Sequence, residues 1–238
     1  MRIPEATVLR LPVYQRILQT FASAGRRTIS SADLGRLSGE NAASVRRDLS
    51  RLGTLGTRGT GYDVKMLSRQ IDRVFAADSP QGVILVGAGN LGRALIHSVS
   101  FFGHGSVLVG VFDADPKVIG TQISGHTVQS EDELEQMVAD HDVHLAVLTV
   151  PPSSAQRVAE RLVAVGVRHL LNFAPATLHV GDQVTVRYVD LSIELQALGF
   201  YAREGEGRAG GPSVGTAGIL TTPSVLSEMG TRRSSSAR

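Results

Sequence analysis

Residues 83–92 read Val83-Ile84-Leu85-Val86-Gly87-Ala88-Gly89-Asn90-Leu91-Gly92. Four apolar residues of a buried strand run into a G-x-G-x-x-G turn, and residues 91–101 then take helical spacing. Strand, glycine turn and helix in that order predict the first β-α unit of a doubly wound sheet, with a dinucleotide at the turn. Each glycine has its own task there. Gly87 makes the tight turn, Gly89 lets the backbone approach a pyrophosphate, and Gly92 lets the helix pack on the sheet. Around them Ala88, Asn90 and Leu91 supply the opening of the helix, whose N–H groups and positive potential suit phosphates. Asp113 ends the next strand, at the roughly 20-residue separation of the acid that holds the ribose hydroxyls. Its charge repels a 2′-phosphate, so the site favours NAD(H) over NADP(H). The alternative is a glycine turn in a Rossmann-like domain that binds nothing.

Beyond this unit the chain alternates. Strands are expected at 107–112, 145–150, 169–173 and 184–189, and helices at 131–139, 153–165 and 191–201. Apolar runs of four to six residues between helices are the pattern of a parallel, doubly wound sheet. From residue 204 the periodicity stops in a Gly-, Ser-, Thr- and Pro-rich stretch, EGEGRAGGPSVGTAGILTTPSVLSEMGTRRSSSAR, which is expected to be disordered.

Residues 1–60 read differently. Leu11, Tyr14, Ile17, Leu18 and Phe21 recur at helical spacing, and Gly25 breaks the run. Ser30 with Asp33 reads as a capping box opening a second helix, which Gly39 ends. Asn41 caps a third, 42–52, with Val45, Leu49 and Leu52 on one face. Gly53, Gly56, Gly59 and Gly61 follow in a loop bearing Arg58. Three helices with a tight second turn, then a glycine-punctuated hairpin, predict a winged helix-turn-helix. On the third helix Arg47 and Ser50 point away from the core face, with Arg46 on the flank and Ser44 near the start. Small residues permit close approach to a major groove and arginine reads guanine or phosphate. Asp48, beside Arg47, is expected to orient a guanidinium, and Arg58 to reach the DNA backbone or minor groove. An exposed amphipathic helix with solvated arginines is the alternative.

Charge agrees with the first reading. Residues 1–60 hold ten arginines against Glu5, Asp33, Glu40 and Asp48, a net +6, within a chain of 238 residues and net +2. Residues 61–203 carry ten basic against fifteen acidic side chains, a net −5. A basic head on an acidic body suits a polyanion at one end only. The absence of cysteine excludes disulfides, thiolate metal sites and cysteine nucleophiles. No apolar run approaches the ~18 residues of a membrane span, and the first residues lack the apolar core of a signal peptide. A cytoplasmic protein with no membrane partner is expected.

Several motifs, in order over residues 3–203, resemble the Rex redox-sensing transcriptional repressors. They are Ile3-Pro4-Glu5-Ala6-Thr7, Val45-Arg46-Arg47-Asp48-Leu49-Ser50 and the wing from Gly53 to Tyr62, the glycine turn, and Phe112-Asp113-Ala114-Asp115-Pro116. Leu171-Asn172-Phe173-Ala174-Pro175 and Val189-Asp190-Leu191-Ser192-Ile193-Glu194-Leu195-Gln196 complete the set. The resemblance implies a homodimer that binds palindromic double-stranded operators, senses the NADH/NAD⁺ ratio and leaves DNA when NADH binds. NADH and NAD⁺ would be ligands, not reactants, with Ser98, Pro151, Asn172 and Phe173 joining the glycine turn in the site. It also implies that the last helix is exchanged between subunits, with Leu191 at the interface. Arg16 and Asp190 would pair across domains in one state. Ser98 departs from the family, which usually has a tyrosine there, near the nicotinamide.

The expected organisation is therefore α/β. It comprises a winged-helix DNA-binding domain, 1–62, a connecting segment, 63–81, and a Rossmann NAD(H)-binding domain of doubly wound parallel sheet, 82–190. A domain-swapped dimerisation helix, 191–203, and a tail, 204–238, follow. Two rivals remain. One is a winged-helix regulator of another nucleotide or a CoA-type ligand. The other is a small NAD-dependent dehydrogenase, for which the chain offers no substrate domain. No catalytic residue and no metal site is expected, since the seven histidines form no triad or ligand pattern.

Overall fold

The computed structural model describes residues 3–53, 56–57, 59–75, 80–98, 101–102, 105–204 and 220–221. These fall into two compact units, one built on residues 3–81 and one on residues 82–190.

In the first unit α1 (Glu5–Ser23) leads to β1 (Thr28–Ile29), α2 (Ser31–Ser38), α3 (Ala42–Arg51), β2 (Tyr62–Asp63) and α4 (Val64–Phe75). The expected caps are made. Ser30 Oγ accepts the Asp33 N–H at 3.0 Å and donates to Asp33 Oδ2 at 2.8 Å. Gly39 closes α2 in the left-handed region at φ 76°, where a side chain would cost energy. Asn41 Oδ1 then accepts the Ser44 N–H at 2.8 Å and opens α3. The turn is tight because Gly35 lies against it: a Cβ there would sit 2.6 Å from the Glu40 carbonyl oxygen. Leu11, Tyr14, Leu18, Leu34, Val45, Leu49, Leu67 and Ile71 form a closed core.

The sequence pattern does not show β1 and β2, an antiparallel pair of two residues each. Strands so short have no period to read. They place the wing, whose Thr57–Gly61 bridge folds back beside them.

The second unit is the sheet. In chain order come β3 (Gln81–Val86), α5 (Asn90–His97), β4 (Ser106–Asp113), β5 (Gln122–Ile123) and β6 (His126–Ser130). A short 3₁₀ turn, Glu131–Glu133, leads into α6 (Leu134–His141), β7 (Leu145–Leu148), α7 (Pro152–Ala164), β8 (His169–Asn172) and β9 (Thr185–Tyr188). Then follow α8 (Leu191–Glu204), which groups with the first unit, and β10 (Leu220–Thr221) on the sheet. The strand order is β10-β9-β8-β7-β3-β4-β6-β5. The β3–β7, β4–β6, β7–β8 and β8–β9 pairs are parallel. The chain winds outward from β3 on one side and returns to β7 on the other. The crevice at the carboxyl ends of β3 and β7 is thus the switch point where such sheets bind ligands.

Three expectations change. The helix after the glycine turn ends at His97, with Ser98 already extended at ψ 97°. Residues 122–130, where no element is expected, form the β5–β6 hairpin. Ser124 and Gly125 both take positive φ at its turn, the two-residue geometry that splays strands least. Of the tail expected to be without order, Leu220 and Thr221 pair antiparallel with Tyr188 and Arg187. The reason is an edge strand, whose free ladder groups accept another strand.

Phe112 is fully buried, and its ring lies where a Cβ on Gly110 would come within 2.8 Å. Phe112→Ala should destabilise the sheet unit by about 3–5 kcal/mol, checked by denaturant unfolding. A cost below about 1 kcal/mol would mean that this core is not the one that holds the unit.

Candidate nucleotide cradle and nucleic-acid face

The glycine turn departs from the end of β3, and its three glycines have different reasons to be glycine. Gly87 has φ 105°, and a Cβ there would lie 2.6 Å from the carbonyl carbon and oxygen of Thr149. Gly92 faces the same place: a Cβ would run into the Gly87 carbonyl oxygen and come 3.0 Å from Thr149 Oγ1. Both are therefore required by the protein itself. Gly89 is not. Its φ of −71° is open to any residue, and a Cβ there would meet nothing within 4 Å. The space over Gly89 is open.

Thr149, just beyond β7, went unread in the sequence. Its N–H donates to the Val86 carbonyl at 2.9 Å and its hydroxyl to the Gly87 carbonyl at 2.6 Å. It pins the turn from the neighbouring strand. No local motif marks a threonine whose partners lie some sixty residues away.

Ala88 is held on both sides. Its N–H donates to Asp113 Oδ2 at 2.6 Å, and its carbonyl accepts Arg93 Nε–H at 3.0 Å. Asp113 Oδ1 also accepts the Asp115 N–H at 2.9 Å. A carboxylate has about four lone-pair positions, so Asp113 keeps capacity for ribose hydroxyls while it anchors the loop. Asn90 and Leu91 are exposed in the first turn of α5, where N–H groups have no acceptor within the helix.

The remaining expected residues sit at the carboxyl ends of β7 and β8 and at the end of α5. Pro151 caps α7 at φ −58° and is exposed. Phe173 is half-buried, its ring 6.4 Å from that of Phe101. Ser98 is half-buried at the end of α5. Asn172 differs from the others: it is 1% exposed. Its Nδ2 donates to the carbonyls of Ala174 and Ala176 at 3.1 and 3.0 Å, and its Oδ1 accepts the Ala174 N–H at 3.0 Å. Its amide shapes the loop that carries Phe173.

In the first unit α3 buries Val45 and Leu49 and exposes Arg46, Arg47 and Ser50, with Ser44 partly covered. Arg46 Nη1 donates to Ser31 Oγ at 3.1 Å. Arg46 and Ser50 of α3, Ser30 and Ser31 at the start of α2, and Thr57 and Thr60 of the wing line a groove of about 570 Å³. Arg58 lies outside the described residues.

Asp48 orients a guanidinium, as expected, but that of Arg10 on α1: its side chain turns into the core, 1% exposed. It accepts Thr7 Oγ1–H at 2.8 Å, Arg10 Nε–H at 2.7 Å, Arg10 Nη2–H at 2.8 Å and the Tyr14 O–H at 3.0 Å. Burial pushes its pKa up, but the bonds from Arg10, Thr7 and Tyr14 outweigh that and hold it below the usual carboxylate range. Arg16 is exposed on α1, Asp190 immediately precedes α8, and Leu191 opens α8 with 68% of its surface exposed. Among the described residues no cluster of His, Asp and Glu could hold a metal, and no helix is long and apolar enough to cross a membrane.

Comparison with known proteins joins the two sites. Residues 2–50 match the family model described as "Putative DNA-binding protein N-terminus", and residues 78–176 the one described as "CoA binding domain". The redox-sensing transcriptional repressor Rex of Streptomyces griseus subsp. griseus is 46% identical over 86% of this chain and 81% of its own length. The solved structure of RSP, a Rex-family repressor, in complex with β-NAD⁺ and operator DNA is 32% identical. It covers 87% of this chain and 95% of its own, with a TM-score of 0.77. The RSP complex with β-NADH, also 32% identical, covers 87% and 97% with a TM-score of 0.76. These relatives are named as repressors, not as enzymes. A winged helix and a glycine cradle in one chain, matched over nearly all its described length by proteins of one kind, place this chain in the Rex family of redox-sensing transcriptional repressors.

Proposed function

We propose that this chain is a cytoplasmic repressor that binds palindromic operator DNA as a homodimer and releases it when NADH occupies the cradle over Gly89. The observation that carries the reading is the open space at Gly89, a glycine that neither backbone geometry nor packing explains. The pyrophosphate lies there, with the first turn of α5 as its anion site. Gly87, Ala88, Asn90, Leu91 and Gly92 form the surrounding turn, Asp113 takes the adenosine ribose, and Ser98, Pro151 and Phe173 lie toward the nicotinamide. NADH and NAD⁺ act there as ligands and are not consumed.

On DNA, α3 enters the major groove, with Arg46, Arg47, Ser44 and Ser50 toward the duplex and Arg58 in the wing reaching the backbone or minor groove. The dimer forms through α8, exchanged between subunits. Leu191, Ile193, Leu195, Leu198, Phe200 and Tyr201 of this helix are 47–71% exposed. Six large apolar side chains uncovered on one helix support burial against a second copy. NADH shifts the dimer only by its differential affinity for two arrangements. Arg16 and Asp190 pair in one of them. Ser98, in place of the family's tyrosine, makes the distinction between NADH and NAD⁺ shallower.

Gly89→Val should abolish NADH binding in calorimetry while leaving thermal unfolding nearly unchanged, because the side chain fills only ligand space. Gly92→Ala should instead destabilise the sheet unit by about 1–3 kcal/mol, because its Cβ meets backbone. CoA in the same titration tests the other ligand class. Unchanged NADH affinity in the Gly89 variant, or tighter binding of CoA than of NADH by the unaltered chain, would sink the cradle reading.

The paired substitution of Arg46 and Arg47 by alanine should weaken specific DNA binding by about 2–6 kcal/mol, taking about 1–3 for each base-reading arginine. Retention of full operator affinity in gel-shift titrations would exclude α3 as the reading helix.

A chain truncated after Tyr188 should be monomeric by sedimentation, whereas one truncated after Glu204 should remain a dimer. A stable dimer lacking α8 would refute the exchanged helix.

A further inference from the structure

The buried carboxylate of Asp48 is used neither by the cradle nor by the DNA face. Its donors come from one face of α1, at Thr7, Arg10 and Tyr14, a spacing of three and four that stacks them along the helix. Arg10 also reaches Glu40, in the α2–α3 turn, at 3.8 Å. In the other direction Arg51 of α3 donates to Thr7 Oγ1 at 3.2 Å and lies 3.8 Å from Asp48 Oδ1. Two helices are thus tied by polar bonds of fixed direction, in a region where Leu11, Leu18, Val45 and Leu49 already supply an apolar core. Apolar contacts alone hold helices together but tolerate small rotations, whereas a bidentate arginine–carboxylate pair does not. Stability does not account for such a pair, since buried ion pairs are often replaced by apolar groups without loss.

We infer that Asp48 is a positioning residue for DNA recognition: through Thr7, Arg10 and Tyr14 it fixes the roll of α3 on α1, and so the direction in which Arg46 and Arg47 leave the protein. This rests on the proposed reading of α3 as the DNA-contacting helix. Side chains stand about 5–6 Å from a helix axis, so a roll of about 10° moves their tips by about 1 Å. That is enough to break a bidentate hydrogen bond to a base edge while leaving phosphate contacts, which are less directional, in place. The pair also makes α1, which carries Arg16 on its exposed side, and α3 a single lever. Displacement of α1 is passed to the DNA face rather than absorbed between the helices.

The test uses the full chain and an operator selected with it from a random duplex library. Affinities for that operator and for an unrelated duplex are measured at a temperature where every variant is folded. Asp48→Asn keeps shape and acceptor oxygen but removes the charge that holds Arg10. Its operator affinity should fall about tenfold, as for loss of a base contact, while affinity for the unrelated duplex and for NADH changes less than twofold. Tyr14→Phe and Thr7→Val, which remove single hydroxyls within intact packing, should lower the operator preference by smaller factors, and they carry the test should Asp48→Asn not fold. A merely structural role would lower the unfolding temperature and leave the ratio of the two DNA affinities unmoved, and that outcome overturns the proposal. Failure of the unaltered chain to enrich any sequence would instead refute the DNA reading on which it rests.

Discussion

The contact of Gly87 and Gly92 with Thr149 is the constraint on which the sheet unit depends. Three backbone segments from β3, α5 and the end of β7 approach more closely than any Cβ would allow, and the threonine hydroxyl closes the meeting point on the Gly87 carbonyl. The approach sets the direction of α5, and with it the first-turn N–H groups that face the crevice. It also carries the turn past Asp113, which takes the Ala88 N–H. The opening over Gly89 is a consequence: with Gly87 and Gly92 pressed against the strands, the residue between them is the one raised clear of the protein. Packing and binding therefore divide the motif. Two of its glycines are required by the fold, and the third is left open to whatever the crevice takes.

The head depends on a different kind of bond. Its core is apolar and ordinary, but α1 and α3 also meet across a buried charge with four donated hydrogen bonds. Desolvating a carboxylate costs several kcal/mol unless it is fully bonded, and here its bonding is nearly complete. Such a group penalises every arrangement of the two helices but one.

Much of this was legible in the sequence because it is local. Ser30, Gly39 and Asn41 mark helix ends by side-chain chemistry acting within three residues, and each behaves as its type dictates. The glycine turn announces itself because its tasks are all backbone tasks. What is not legible depends on residues far apart along the chain. Thr149 acts on a carbonyl of another strand, and nothing beside it in the sequence says so. Asp48 follows Val45 by three residues, on the core face of α3, so the helical period itself placed it inside. Its charge argued for the surface, and only Thr7, Arg10 and Tyr14 on another helix reverse that argument. For Asn172 the resemblance gives a ligand contact but not the part its amide plays in shaping the loop that carries Phe173. The β5–β6 hairpin was missed for the opposite reason. Ser124-Gly125 is a turn signal, but a partner strand of two residues has no alternation to flank it.

Both margins of the eight-stranded sheet are two-residue strands, β5 and β10, each antiparallel to its neighbour in a sheet otherwise largely parallel. An open parallel margin would present a long row of unpaired amides and carbonyls to any extended chain. A margin of two residues offers too few ladder groups to hold a foreign strand in register, and it ends before an aggregate can be templated on it. Main-chain recruitment is thereby discouraged at both sides of the sheet. Along these two margins, contact with another molecule falls to side chains, which, unlike amides, differ from one partner to the next.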